Sequence, residues 1–453
     1  MQGMVQRAIR PIGPAFGADA AAVRPARALR PARALSSSPA IRLQIFTMLA
    51  GCWLLSWHLL RVPFANLTAS DLLLFFALVL VVVRSRLTTS PFGAMSYLWF
   101  LCVLGFLGAL LASSVANYGP GRWLTVAPQY GLSLVLLPML FASFDQLFLK
   151  RCLVWLAYGV VASQVLGLAT KYALPVSVVD MLPKDVVLGN ARLGAMTGEG
   201  NWNGAMIAYG LVIILSGMLQ RTIAWPVALA CLAILGWALL ETGSVTGLTA
   251  SVAGIAVLIV ARGGRALAGW VLLLIAIPAV YIGLGLPLPG IFEARVGGAL
   301  ASGDISQAGT FSARAQLISE AWSVADDTVF LGLGVDQYRV LSSDGAPVHN
   351  FPLLILTEGG FIAALSLIGL FVVMVTIALG RLEEERASGA LMLAMVVVLL
   401  IVSLAIPHMY TRIWFPPVIL ALIAYARPRG QRRVSLQQLR RMAEQRDQRM
   451  VEG

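Results

Sequence analysis

His349 and Asn350 stand at the end of a long polar stretch, directly before an apolar run that opens Phe351-Pro352. An imidazole at such a boundary titrates near neutrality and can take a proton from a hydroxyl nucleophile. Asn350 is suited to cap the following helix, with Pro352 in its first turn. The plainer reading of His349, a membrane-edge side chain that helps to cap this helix, stays open beside the catalytic one. Upstream, Thr310–Trp322 reads as a helix with Ser312 as its N-cap and Leu317, Ile318, Ala321 and Trp322 on one face. Arg314 lies on that face in the first turn, where a cation opposes the helix macrodipole. An anion held by its guanidinium and by free backbone N–H groups would explain the placement. A surface Arg with its stem laid along an interfacial helix would explain it too. Glu358, two turns into the apolar run, is either functional or a buried carboxylate bonded to a neighbouring helix.

A second polar constellation runs from Gly189 to Asn203 and holds Arg192, Glu199, Asn201 and Trp202 among several glycines. Arg192 and Asn203 could contribute to a shelf for sugar and phosphate; an ordinary polar turn is the alternative. Glu241–Gly247 is a further turn between two apolar runs, and the glycines of Phe330–Tyr338 predict a tight turn after the Arg314 helix. That glycine segment is too short and wrongly placed for a dinucleotide fold. The chain has no Asp-x-Asp, and His58, His349 and His408 do not show metal-ligand spacing with carboxylates, so no metal and no cofactor is expected. Cys52, Cys102, Cys152 and Cys231 all fall in or beside apolar runs and read as packing residues.

The elements that must position these residues are membrane helices. The chain is 59% hydrophobic and 12% charged over 453 residues, which excludes an ordinary soluble globular protein. Apolar runs at about 43–60, 69–83, 95–113, 126–144, 152–169, 203–219, 223–240, 245–261, 266–286, 351–380, 388–406 and 413–426 predict an all-α polytopic protein of about 12 transmembrane helices. Nearly all of the net charge of +12 sits in two tails: residues 1–42 carry seven Arg against one Asp, and 427–453 eight Arg against three acids, which leaves +1 for the rest of the chain. Such tails stay cytoplasmic and touch anionic membrane lipids; they are not a nucleic-acid surface. The first resembles a transit peptide in composition but reads as a disordered basic tail. With the N-terminus inside, the short basic loops at Arg84/Arg86, Lys150/Arg151, Arg221, Arg262/Arg265 and Arg381/Arg386 all fall on the same cytoplasmic side. The membrane domain is then 43–426, with two long outer loops at 170–202 and 287–350, the larger one holding short helices. All three histidines and Arg122, Arg192, Arg295, Arg314, Arg339 and Arg412 fall at the outer face, against the usual bias for arginine.

Arg314 with Trp322 and the Gly-Leu-Gly that follows, then His349-Asn350 with Glu358 and Gly360, resemble the O-antigen ligase and lipid-linked polysaccharide polymerase superfamily. The Arg192–Asn203 segment and the Ser244-Val245-Thr246-Gly247 turn fit the same pattern, over roughly 185–365. The resemblance implies a multi-pass enzyme of the bacterial inner membrane that transfers a glycan at the periplasmic face. The donor would be an undecaprenyl-pyrophosphate-linked glycan and the acceptor a hydroxyl of lipid A-core or of a growing polysaccharide. It implies His349 as base and Arg314 on the pyrophosphate, with Arg192, Asn203, Asn350 and Glu358 as substrate-binding residues, and no metal. Many members carry an Arg in the turn that here reads Ser244–Gly247, and Ala363 stands where Gly is frequent; Arg192 could supply the missing guanidinium. Ligase, polymerase and protein O-oligosaccharyltransferase share these features, so the acceptor is open. A transporter or flippase is a reading of another class, against which the concentration of polar residues in two outer loops counts.

Overall fold

The protein is described by a computed structural model over residues 39–62, 67–84, 87–263, 269, 281, 283–285, 287–297, 303, 311–407 and 412–426. The run predicted at 266–286, His408 and both basic tails except Pro39–Arg42 lie largely or wholly outside the described residues. Helices of ten or more residues are α1 (Pro39–Trp53), α2 (Ala69–Arg84), α3 (Met95–Ala116), α4 (Pro120–Phe141), α5 (Gln146–Tyr172) and α6 (Gly200–Leu219). They continue with α7 (Trp225–Thr242), α8 (Val245–Arg262), α9 (Phe311–Thr328), α10 (Phe351–Glu384), α11 (Arg386–Ala405) and α12 (Phe415–Tyr425). Among the described residues the only sheet is a two-stranded antiparallel pair, β1 (Arg61–Val62) on β2 (Leu67–Thr68), with Arg61 opposite Thr68.

Among the described residues eight helices, α3 to α8 with α10 and α11, are long and apolar enough to cross a membrane. They match eight of the predicted runs; the first, second and last runs form shorter helices. Large apolar side chains such as Leu104, Val252, Val260 and Leu365 face outward from α3, α8 and α10, more than half exposed. An aqueous protein does not leave helix faces of this kind uncovered, and lipid is their natural solvent. Helix α6 is the hub, with 83% of its apolar window buried against 39% for α3, α7, α8 and α10. It packs on α5, α7, α8 and α11, and α3 lies along α10. The α6–α8 crossing is close because Gly204 and Gly247 meet backbone to backbone: a Cβ on Gly247 would sit 2.6 Å from the Gly204 Cα. In α4 the chain widens into a π turn at Leu132–Leu136, and the buried Trp99 of α3 donates its indole N–H to the Leu134 carbonyl at 2.7 Å.

Helix α10 is broken at Gly360, whose φ of 70° only glycine adopts freely. The segment after α9 threads into the break and takes up the backbone groups it frees. Leu333 N–H donates to the Thr357 carbonyl at 2.9 Å, Gly334 N–H to that of Glu358 at 2.8 Å, and Phe361 N–H to that of Val329 at 2.6 Å. Non-helical backbone at membrane depth survives only where its polar groups are satisfied in this way. The glycine-rich segment is thus the tight turn expected from its sequence, with φ of 79° at Gly332 and 94° at Gly334.

Two details of α9 differ from expectation. Its described part begins at Phe311, which places Ser312 within the helix and not ahead of it. Its inner stripe runs through Leu317, Ala321 and Ala325, all buried, while Trp322 is 54% exposed. The helix needs a stripe of small residues to approach its neighbours, and the indole next to Ala321 is rotated off it.

Candidate functional site

The Arg192 loop is fixed before any ligand arrives. Lys171, at the end of α5, donates to the fully buried Glu241 carboxylate at 2.6 Å and to the Ala191 carbonyl at 2.8 Å, while the Tyr172 hydroxyl donates to the same carboxylate. Leu193 N–H donates to the Glu241 carbonyl at 2.9 Å. Asn203 donates to the Leu193 carbonyl at 3.0 Å and exchanges hydrogen bonds with Gln164 of α5 at 2.8 and 2.9 Å. Fully buried, Asn203 has its amide engaged inside the protein and holds the loop to α5.

On this support the Arg192 guanidinium lies across the first turn of α6. Its Nε donates to the Thr242 carbonyl at 2.7 Å and one terminal nitrogen to Asn201 Oδ1 at 2.8 Å, while the other stands 3.7 Å from Glu199. Gly200 makes the approach possible, because a Cβ there would lie 2.6–2.7 Å from the guanidinium. Arg295, from a short turn at Glu293–Gly297, donates through Nε to the Gly243 carbonyl at 3.2 Å. The two arginines therefore bind the carbonyls just ahead of the Ser244–Gly247 turn, where Ser244 caps α8 by accepting from Gly247 N–H at 3.1 Å. The turn without an Arg of its own is met by guanidiniums from two other loops.

Arg314 and His349 close the group. Burial pulls the Arg314 guanidinium below its ordinary range, with Glu199 opposing the shift and Arg295 adding to it. Burial likewise lowers Arg192, opposed by Glu199 and reinforced by Arg295 and Arg314. His349 is pushed below its ordinary 6.5 by burial first and by the Arg314 charge second, against a smaller pull from the Pro347 carbonyl. It is not the exposed imidazole that the sequence led us to expect; burial and a neighbouring cation hold it neutral at pH 7, the form a general base requires. Arg314 Nε and His349 Nδ1 are buried with no hydrogen-bond partner in the structure. Each such atom is costly unless another molecule completes it.

Asn350 does cap α10, accepting from Leu353 N–H at 3.0 Å, with proline in the first turn. Glu358 is buried, and its carboxylate accepts from Asp336 N–H at 2.9 Å and Tyr338 N–H at 3.3 Å; its own carbonyl accepts from Ser113 and Gly334. Of the two readings open for Glu358, the geometry is that of a bonded carboxylate, here locking the glycine turn to the break in α10. The same lock positions both key residues, since α9 with Arg314 leads into the turn and His349 leads into α10.

The other described residues expected at the outer face have partners of their own. Arg122 and Arg339 share Asp336, at 3.0 and 2.9 Å, and Arg412 pairs with Asp71 in a buried ion pair. His58 packs against Trp202 and accepts from Arg61 at 3.3 Å; burial, with Arg61 and Arg412 near, pulls it down to about 4. Among the described residues no three His, Cys, Asp or Glu gather as metal ligands. Arg295 and Glu199 are the members of the site to which no role was given from sequence. For Arg295 the only signal was its place on the outer side against the positive-inside bias. No protein-family model matches the chain, and no curated protein is significantly similar to it.

Proposed function

We propose that the protein is a glycosyltransferase of the bacterial inner membrane, of the O-antigen ligase type, with about twelve transmembrane helices, cytoplasmic basic tails at 1–42 and 427–453, and its site at the periplasmic face. It moves a glycan from a polyprenyl-diphosphate carrier to a hydroxyl acceptor. The observation that carries this reading is an unpartnered, buried Arg314 Nε together with an unpartnered, buried His349 Nδ1, in a group where Glu199 acts on both Arg192 and Arg314. A cluster of guanidiniums in a half-buried setting is suited to a diphosphate, and a neutral imidazole beside it is suited to a hydroxyl.

In the reaction, His349 takes the proton of the acceptor hydroxyl as its oxygen bonds to the anomeric carbon. The bond from that carbon to the diphosphate oxygen breaks, and the diphosphate leaves with the electron pair. Arg314, with Arg192 and Arg295 flanking it, meets the charge that develops, which is electrostatic stabilisation by groups already in place. Asn203, Asn350 and Glu358 act by positioning, through the hydrogen bonds described above.

The test is a strain lacking the gene, complemented with His349→Ala or Arg314→Ala, with surface glycans resolved on gels and protein levels matched. Both variants are expected to abolish the product; normal glycans from either one would refute the mechanism. The product missing from the deletion strain also identifies the acceptor: lost glycan-capped lipopolysaccharide means ligase, single repeat units mean polymerase, and lost glycoprotein means protein transfer.

A further inference from the structure

Among the described residues Glu199 is the carboxylate that acts on both Arg192 and Arg314, yet it is not held as a structural ion pair would hold it. Its closest approach to Arg192 is 3.7 Å, whereas Arg192 reaches the Thr242 carbonyl at 2.7 Å and Asn201 at 2.8 Å. The carboxylate is fixed by α6 instead: it accepts from Trp202 N–H at 2.8 Å as the helix cap, and from the Asn201 amide at 3.1 Å. Its side chain is one-third exposed, against 7% for Arg192. The charge of Glu199 acts on both Arg192 and Arg314. Among the described residues, the guanidiniums of Arg192, Arg295 and Arg314 against this one carboxylate leave two unit charges uncompensated.

We propose that Glu199 is the resident counter-ion of this pocket and determines which phosphate species it retains. This rests on the donor reading above. A diphosphate diester, the form that carries a glycan at one end and a lipid at the other, bears two negative charges and matches the uncompensated pair. When the glycan has left and His349 has passed on the proton it took, the diphosphate is a monoester with up to three charges, one more than the pocket neutralises. Glu199 then repels the product and speeds its departure, and without the carboxylate a third guanidinium charge would hold it.

Glu199→Gln separates this role from the capping role, because the amide oxygen still accepts from Trp202 N–H while the charge is gone. The experiment measures binding of inorganic pyrophosphate and of farnesyl diphosphate to the full chain in nanodiscs, by calorimetry. E199Q is expected to bind both about tenfold more tightly than the native protein, the order of effect of removing one like charge at such range in a partly screened site. It should also show a lower kcat and stronger inhibition by the diphosphate product, with KM for the donor unchanged or lower. A variant damaged in its fold would bind more weakly, so tighter binding cannot come from misfolding. Equal or weaker binding by E199Q, while the native protein binds and Arg314→Ala weakens it, overturns the role of Glu199 and leaves the donor reading standing. If the native protein binds neither probe, the donor reading falls, and the counter-ion falls with it.

Discussion

A neutral base beside a cation has a pH signature. Burial and Arg314 both hold His349 below 6.5, so the base form predominates above that value and activity should fall only on the more acidic side. Arg314→Gln removes one of the two causes, and the acid limb of kcat/KM is expected to move to higher pH as His349 becomes easier to protonate. An unmoved limb would separate the two residues electrostatically. His349→Gln should lower the transfer rate by roughly 10²–10⁴-fold, the usual worth of a positioned proton acceptor, with no change in thermal stability. At Gly200 the expectation is different. Alanine would put its methyl within 2.7 Å of the Arg192 guanidinium and push it off the first turn of α6. Binding of pyrophosphate should weaken while His349 retains its pH profile, which calorimetry and a pH–rate series can resolve.

Among the elements, the broken helix α10 and the turn inserted into it form one mechanical unit. Glu358 accepts two backbone N–H groups of that turn, and Gly360 has a φ of 70° with the Phe330 carbonyl oxygen 2.6 Å from where a Cβ would stand. Glu358→Ala leaves two buried N–H groups unpaired, about 1–3 kcal/mol each, and Gly360→Ala forces a side chain into the left-handed region against a carbonyl. Both are expected to lower the melting temperature in detergent and to open 329–350 to protease, with activity lost as a consequence. A variant that lost activity with its melting temperature and protease pattern intact would mean that Glu358 touches the ligand after all.

For the whole molecule, the central prediction is topological. With both basic tails inside and the Arg314–His349 group outside, a single cysteine at Ser343 in a cysteine-free background should react with a membrane-impermeant maleimide in intact cells. One at Gln431 should react only after permeabilisation. Ser343 lies on the exposed surface of the turn that precedes His349, so lack of labelling would place the site on the other side of the membrane.

Much of this architecture is legible residue by residue. The eight long helices follow from runs of apolar residues, because a segment that must satisfy its backbone in lipid has almost no choice but to be helical. The capping of α10 by Asn350 is equally local, since the side chain bonds a backbone group three residues on. His349 and Arg314 stand out by type and position, and so does the tight turn at Gly332 and Gly334. The fate of Glu358 was not readable, because a carboxylate two turns into an apolar span looks the same whether it meets a ligand or the turn of Asp336 and Tyr338. Nor could the chain order show that Arg192 and Arg295, a hundred residues apart, converge on consecutive carbonyls at Thr242 and Gly243. The helical membrane character was thus determined by sequence alone, since burial in lipid is a local constraint, and the sequence also singled out His349 and Arg314 as the candidates for chemistry. The arginine group, with Glu199 acting on Arg192 and Arg314, was decided only in the tertiary structure, because charges from separate loops combine through distance in space, which periodicity along the chain does not encode.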